Sequence, residues 1–155
     1  MSFCGRWHIV VLPPAIIVRV TRGRLLLILA VVALAVGVPL AIAMQSKTLV
    51  KVTEKEFKVT PVPVKAPAGF VSFKVKNIGA LKHEFIVLKS KVAASKLPVK
   101  NNKAVLKGTV KGKLASVAPG QTKTLTIKLR AGKYILLCNL PAHYKAGQRA
   151  AFTVK

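Results

Sequence analysis

Hydrophobic and polar positions follow two different patterns along this chain. Residues 25–43 form one apolar run without a charged side chain, whereas apolar and polar residues alternate over short stretches from residue 49 onward. Alternation with a period of two predicts β-strands with one buried face and one exposed face. No stretch after residue 43 has the period of a helix over a useful length.

The alternating part of the chain divides into short segments separated by turn residues. Strands are predicted at residues 49–52, 57–59, 70–76, 84–88, 104–110, 113–117, 122–129, 134–138 and 150–154. Pro61 and Pro63 are expected to end the second strand, and residues 89–102 are expected to form a loop with one helical turn. Many short strands at this spacing predict an all-β antiparallel sandwich or barrel.

The apolar run at residues 25–43 predicts export. Arg19, Arg22 and Arg24 precede it, and it ends in the small-x-small sequence AIA at 41–43. A basic flank, an apolar stretch and such an ending fit a cleavable secretory signal, which we favour. Nineteen apolar residues are also long enough to remain as a membrane anchor. Both interpretations place the following domain outside the cytoplasm, in the periplasm or the extracellular space.

The first 24 residues form a basic N-terminal region that is long for a signal sequence. It contains a second apolar patch at 9–18, which is too short to span a bilayer. One hypothesis is that translation starts near Val20. A chain of 155 residues has room for this region, the apolar run and one ordinary domain at residues 47–155.

The charge of the chain favours anionic partners. Lysine and arginine total 27 against three acidic residues, and the net charge is +24. The lysines are spread singly through the predicted strands, without an arginine-rich helix or a ladder of aromatic residues, so nucleic acid is disfavoured. An anionic membrane, a cell-wall polymer or an acidic redox protein remains compatible with this charge.

Acidic residues are too few for chemistry that needs paired carboxylates. Glu54, Glu56 and Glu84 are the only three, and the chain has no aspartate. Alternation assigns Glu54 and Glu56 to one face of a predicted strand amid lysines. Glu84 could orient a ligand from the strand that begins beside His83, or it could be a solvated residue at the strand edge.

Cys138 is the only cysteine after the apolar run, and its surroundings suggest a metal. An unpaired thiol in an oxidising compartment is a liability unless something occupies it. His143 and Gln148 follow it at equal spacing on a loop between two predicted strands, and His83 begins another strand. One thiolate and two imidazoles form a trigonal set suited to copper, with a weak axial fourth donor.

Two segments carry a resemblance to a known family. The sequence NIGALKHEF at 77–85, and GKY at 132–134 leading to Cys138-x4-His143-x4-Gln148, are similar to the cupredoxin, or type 1 blue copper, family. This group contains plastocyanin-like and azurin-like domains. The resemblance covers essentially the whole exported part, and the two segments together are specific.

The resemblance implies a Greek-key β-sandwich that holds one copper ion and transfers single electrons without being an enzyme. It assigns His83, Cys138 and His143 as equatorial ligands. The chain departs from the family at Ala142, where glycine is usual, and at Gln148, where methionine is usual. An axial glutamine is similar to the stellacyanin-like branch and predicts a lower reduction potential, because an amide oxygen favours Cu(II) more than a thioether does.

Methionine is not available elsewhere in the domain, since the only two are Met1 and Met44. If Gln148 is not the fourth ligand, copper is three-coordinate or bound to a backbone carbonyl. Asn139 is a candidate for a hydrogen bond across the site, and Tyr144 is assigned to packing.

Three functions are compatible with these ligands. The leading one is an electron carrier, and the second is a module for copper storage or delivery. The third is a cationic surface-binding protein whose metal, for example zinc, is structural or absent. A multicopper oxidase or nitrite reductase needs further histidines, and the exported part contains only His83 and His143. Lys82, Lys145 and Arg149 flank the ligands, so an acidic redox partner could dock near His143 on a monomeric protein.

Overall fold

The computed structural model describes residues 47–155, in which eleven strands and one short helix alternate with turns. In chain order they are β1 (Thr48–Lys55), β2 (Lys58–Val62), β3 (Lys65–Ala66), β4 (Gly69–Asn77), β5 (His83–Lys89), β6 (Val99–Lys100), β7 (Lys103–Ala104), β8 (Thr109–Val117), β9 (Thr122–Leu129), β10 (Gly132–Leu137), α1 (His143–Ala146) and β11 (Arg149–Val154). None of these elements is a helix long and apolar enough to cross a membrane. The predictions for residues 1–43 lie outside the described residues.

The strands form two facing sheets and one small hairpin. The first sheet has the order β2-β1-β4-β9, the second has the order β3-β11-β10-β5-β8, and β6 pairs with β7. Most pairs are antiparallel, but β1 pairs with β4 and β3 pairs with β11 in parallel. The predicted all-β sandwich is therefore confirmed.

The core between the sheets is built from the inward-facing residues of both. Val50, Val52 and Phe73 of the first sheet are fully buried or nearly so. The ring of Phe73 lies 5.5 Å from that of Phe85 and 5.4 Å from that of Phe152, both from the second sheet. Aromatic contacts of this kind across the two layers fix how the sheets face each other.

The outer face of the second sheet is covered by the segment between β5 and β8. Ile86, Leu88, Ile135 and Leu137 of this face pack in a second cluster with Leu97, Ala104 and Tyr144. The Tyr144 hydroxyl donates to the Ala94 carbonyl at 2.7 Å and accepts from the Leu97 N–H at 3.0 Å. Tyr144 has the predicted packing role and ties this segment to the loop after β10.

Several of the predicted strand boundaries differ from the observed ones. The sequence predicts separate strands at 104–110 and 113–117, but β7 ends at Ala104 and one strand, β8, runs from Thr109 to Val117 and pairs with β5 with two register shifts. Pro61 does not end β2, because β2 lies at the edge of its sheet, where a missing N–H costs no ladder bond. Residues 89–102 contain turns and β6 rather than a helix.

Candidate metal centre

The loop between β10 and β11 carries three of the four predicted ligands. Cys138 directly follows β10, His143 is the first residue of α1, and Gln148 lies between α1 and β11. The Cys138 N–H donates to the Gln148 carbonyl at 3.1 Å, and the Gln148 N–H donates to the His143 carbonyl at 3.0 Å. These backbone bonds close the loop on itself, so its start, middle and end converge.

His83 reaches the same point from β5, the strand beside β10. The next residue, Glu84, donates its N–H to Cys138 Sγ at 3.4 Å, which connects the two ligand-bearing strands directly. The turn before His83 is held by the Asn77 side chain, whose amide donates to the Leu81 carbonyl at 2.7 Å. The position of His83 is therefore fixed on both sides.

The side-chain donor atoms of the predicted ligands face one another. One ligand atom each from His83, Cys138 and His143 lies within 4.8 Å of the others. The two Nδ1 atoms are 3.3 Å apart, and Cys138 Sγ is 3.5 Å from His143 Nδ1. Gln148 Oε1 lies 3.1 Å from His143 Nδ1. The three predicted equatorial residues are positioned as ligands, and Gln148 lies beside them.

This donor set fits a transition-metal ion. Two imidazole nitrogens, a sulfur and an amide oxygen surround one small volume, and each can donate an electron pair. Hydrogen bonds among these groups cannot use all of the electron pairs, because too few of the atoms carry a proton. The two Nδ1 atoms are 3.3 Å apart, so two metal–nitrogen bonds of about 2.0–2.1 Å could meet between them. The arrangement matches the histidine and cysteine set of blue copper sites, and it also has room for zinc.

Burial controls the protonation of the ligands. His83, Cys138 and Gln148 are buried, whereas His143 is only partly covered. Burial raises the pKa of the Cys138 thiol to about 11, and burial lowers the pKa of His83 below its ordinary value. At neutral pH both side chains are therefore neutral without a metal, and a bound cation must displace the thiol proton.

Glu84 supports the loop that follows Cys138. It is buried, accepts the Asn139 N–H on Oε1 at 3.0 Å, and pairs through Oε2 with Lys113 at 2.7 Å. Of the two roles considered for Glu84, the contacts favour orienting the ligand loop. Asn139 does not bridge the cluster, because its side chain makes two hydrogen bonds to the backbone of Ala104.

The assignment of Glu54 and Glu56 to one face of a strand amid lysines is wrong. Glu54 is fully buried, and neither carboxylate oxygen has a hydrogen-bond partner among the described residues. Burial, with a smaller contribution from the Glu84 carboxylate, raises the pKa of Glu54 to about 8. Glu56 lies beyond β1, which ends at Lys55, and therefore does not follow the alternation of the strand.

The turn between β1 and β2 contacts both histidines, which the sequence did not indicate. Glu56 Oε1 lies 3.3 Å from His83 Nε2. The Phe57 ring lies edge-on to the His143 ring, with 5.2 Å between the ring centres. The sequence does not predict these contacts, because Glu56 and Phe57 lie more than 25 residues before His83, the first ligand.

Comparisons with known proteins agree with this geometry. A family model described as a cupredoxin-like domain matches residues 26–151. No curated protein is a significant match. Several solved structures share the fold and cover 70–71% of this chain, and three of them follow.

The dithionite-reduced auracyanin of the photosynthetic bacterium Roseiflexus castenholzii aligns with a TM-score of 0.55 at 21% identity, over 71% of this chain and 98% of its own. Auracyanin A, a "blue" copper protein from Chloroflexus aurantiacus, aligns with a TM-score of 0.52 at 19% identity, over 71% and 100%. A rusticyanin variant in which glutamine replaces a methionine aligns with a TM-score of 0.55 at 21% identity, over 70% and 78%. These likenesses show the fold.

Proposed function

The chain belongs to the cupredoxin-like domain family, and we propose that it is an extracytoplasmic carrier of single electrons with one type 1 copper ion. The observation that carries this proposal is the convergence of one thiol and two imidazoles at one end of a β-sandwich, with one ligand atom of each within 4.8 Å of the others. The similar auracyanin A is itself a "blue" copper protein. Copper in such a set supplies one-electron chemistry by alternating between Cu(I) and Cu(II).

Each ligand has a role that follows from its position. His83, Cys138 and His143 would hold the ion, and Gln148 would be the fourth donor because its Oε1 lies 3.1 Å from His143 Nδ1. An amide oxygen is harder than a thioether sulfur, so it favours the oxidised ion and a lower potential.

The surrounding structure limits movement of the ligands. Two backbone hydrogen bonds close the ligand loop, Glu84 fixes the residue after Cys138, and Tyr144 anchors α1 to the covering segment. Electron transfer favours such a site, because ligands that stay in place need little reorganisation when the charge of the ion changes. Copper delivery would instead favour a site that opens easily.

The end of the sandwich that carries His143 offers a docking surface for a redox partner. Phe57, Ile78 and Leu81 are 40%, 54% and 47% exposed at this end, and Lys82 and Lys145 are exposed nearby. We propose a partner protein with acidic side chains around an apolar centre, which would complement both features.

Export is proposed from the sequence and from the thiol. Residues 25–43 fit a secretory signal or an anchor. Cys138 is a free, buried thiol, and metal binding would protect it from oxidation outside the cytoplasm. N-terminal sequencing of the mature protein distinguishes cleavage after Ala43 from retention of the run.

The decisive experiment adds Cu(II) to the metal-free, full-length protein and records visible absorption and electron paramagnetic resonance. We expect an intense thiolate-to-copper band and a narrow copper hyperfine pattern, and both should be lost in Cys138→Ser. A colourless protein that prefers zinc would contradict the proposal. Stopped-flow exchange with small redox reagents then separates an electron carrier from a storage protein, for which we expect slow electron exchange and ready loss of copper to chelators.

A further inference from the structure

The carboxylate of Glu56 is held in a specific cradle beside the metal centre. Glu56 Oε1 accepts the backbone N–H of Leu81 at 2.7 Å. The carboxylate also fills the space left by the missing side chain of Gly79, where an added Cβ would lie 2.7 Å from Glu56 Cδ and closer still to both oxygens. The loop between β4 and β5 is therefore shaped around this one side chain.

The cradle places the carboxylate against the far nitrogen of His83. Because His83 Nδ1 faces the other ligands, a neutral His83 ring that binds a metal carries its proton on Nε2. That Nε2 is buried, and its near neighbour is Glu56 Oε1 at 3.3 Å. The contact is within ion-pair distance, although the N–H does not point directly at the oxygen.

We propose that Glu56 is a positioning residue for the copper site, which keeps the proton of His83 on Nε2 and stabilises oxidised copper through its negative charge. This inference rests on the proposed function. The turn that carries Glu56 also places Phe57 against the His143 ring, so one turn outside the ligand loop contacts both imidazoles.

Two consequences follow from the charge and the geometry. A carboxylate close to the far nitrogen makes a metal-bound imidazole a stronger donor, and losing a partner at that nitrogen typically lowers metal affinity about 10–100-fold. The loss should be greater for Cu(II) than for Cu(I), because Cu(II) carries the greater charge. Each tenfold preferential loss raises a one-electron potential by about 59 mV.

Three variants of the full-length protein separate charge, acceptor and position. Glu56→Gln removes the charge and keeps an oxygen for Leu81 and His83, whereas Glu56→Ala removes both. Gly79→Ala keeps the charge but displaces the carboxylate; Gly79 does not have a positive φ, and the group it displaces is the end of a flexible side chain. Thr60→Lys, on the exposed side of β2, is the control for one added positive charge.

The measurements are the reduction potential, the Cu(II) affinity and the His83 tautomer, read in the metal-free protein by long-range proton–nitrogen NMR. We expect a higher potential in all three variants and no change in Thr60→Lys. The Nε2–H tautomer should become mixed in Glu56→Ala and be restored in Glu56→Gln.

The inference is overturned if Glu56→Ala matches Thr60→Lys in potential, in affinity and in the tautomer. A wild-type protein that binds no copper would refute the proposed function instead, and the tautomer measurement would still test whether Glu56 positions His83. Should Gly79→Ala fail to fold, the comparison of Glu56→Gln with Glu56→Ala decides the matter alone.

Discussion

The buried carboxyl of Glu54 makes a quantitative prediction about stability and pH. Burial, with a smaller contribution from Glu84, raises its pKa from 4.5 to about 8 in the folded protein. Between these values Glu54 is neutral when folded and ionised when unfolded, so unfolding releases a proton. Stability should therefore fall as pH rises from 4.5, and this contribution should level off above about 8.

The gap between the two pKa values sets the size of the effect. It corresponds to about 5 kcal/mol lost across the window. His83 acts in the opposite direction, because burial lowers its pKa, and the unfolded state then takes up a proton first as pH falls below 6.5. A pH profile of the wild type alone would mix the two contributions.

The variant Glu54→Gln isolates the carboxyl, since His83 is common to both proteins. Urea unfolding of the metal-free proteins should give nearly equal free energies at pH 5. At pH 8.5 the variant should be more stable, by up to about 5 kcal/mol. Thr60→Lys, which also adds one positive charge, should run parallel to the wild type. Parallel profiles for Glu54→Gln and the wild type would refute a neutral, buried Glu54.

Three further predictions concern the ligand loop. Gln148→Met should raise the reduction potential, by about 59 mV for each 1.4 kcal/mol by which the amide oxygen had favoured Cu(II); an unchanged potential would mean that Gln148 does not reach the ion. Ala142 has a left-handed backbone with φ 68°, so Ala142→Gly should stabilise the metal-free protein by up to about 1 kcal/mol in urea unfolding; destabilisation would contradict strain at this residue. Because burial raises the pKa of the Cys138 thiol to about 11, copper binding at pH 7 should release about one proton per ion. Calorimetry in buffers of different ionisation enthalpy measures this proton release. Binding heats that do not depend on the buffer would contradict a protonated thiol.

The ligand loop could be predicted from the sequence because its information is local. Cys138, His143 and Gln148 lie within eleven residues between two strands, so their convergence follows from spacing once the strands are placed. His83 is a candidate from its place at the start of a strand after a turn, and the resemblance to a family supports it, because nothing local connects this histidine to a thiol after β10.

The environment of Glu54 was predictable in principle, and that of Glu56 was not. Val50 and Val52 face the core, so the same alternation turns Glu54 inward. The charge of Glu54 argues against this inward position, because carboxylates are rarely buried without a partner. Glu56 lies in a turn, where alternation gives no direction, and its contact with His83 depends on how two distant loops meet.

The three carboxylates of this strongly cationic chain lie close to the predicted metal ligands. All three lie at the metal end. Glu84 is next to His83 in the chain, and Glu56 lies against the far nitrogen of His83. The Glu54 carbonyl accepts the N–H of Ile78, in the turn before His83, at 2.9 Å. Glu84 pairs with Lys113, and Glu56 accepts the backbone N–H of Leu81. Burial keeps Glu54 neutral. A carboxylate elsewhere on this surface would only reduce a net charge of +24 by one. At this end Glu56 instead contacts the predicted ligand His83, and Glu84 holds the loop that follows Cys138.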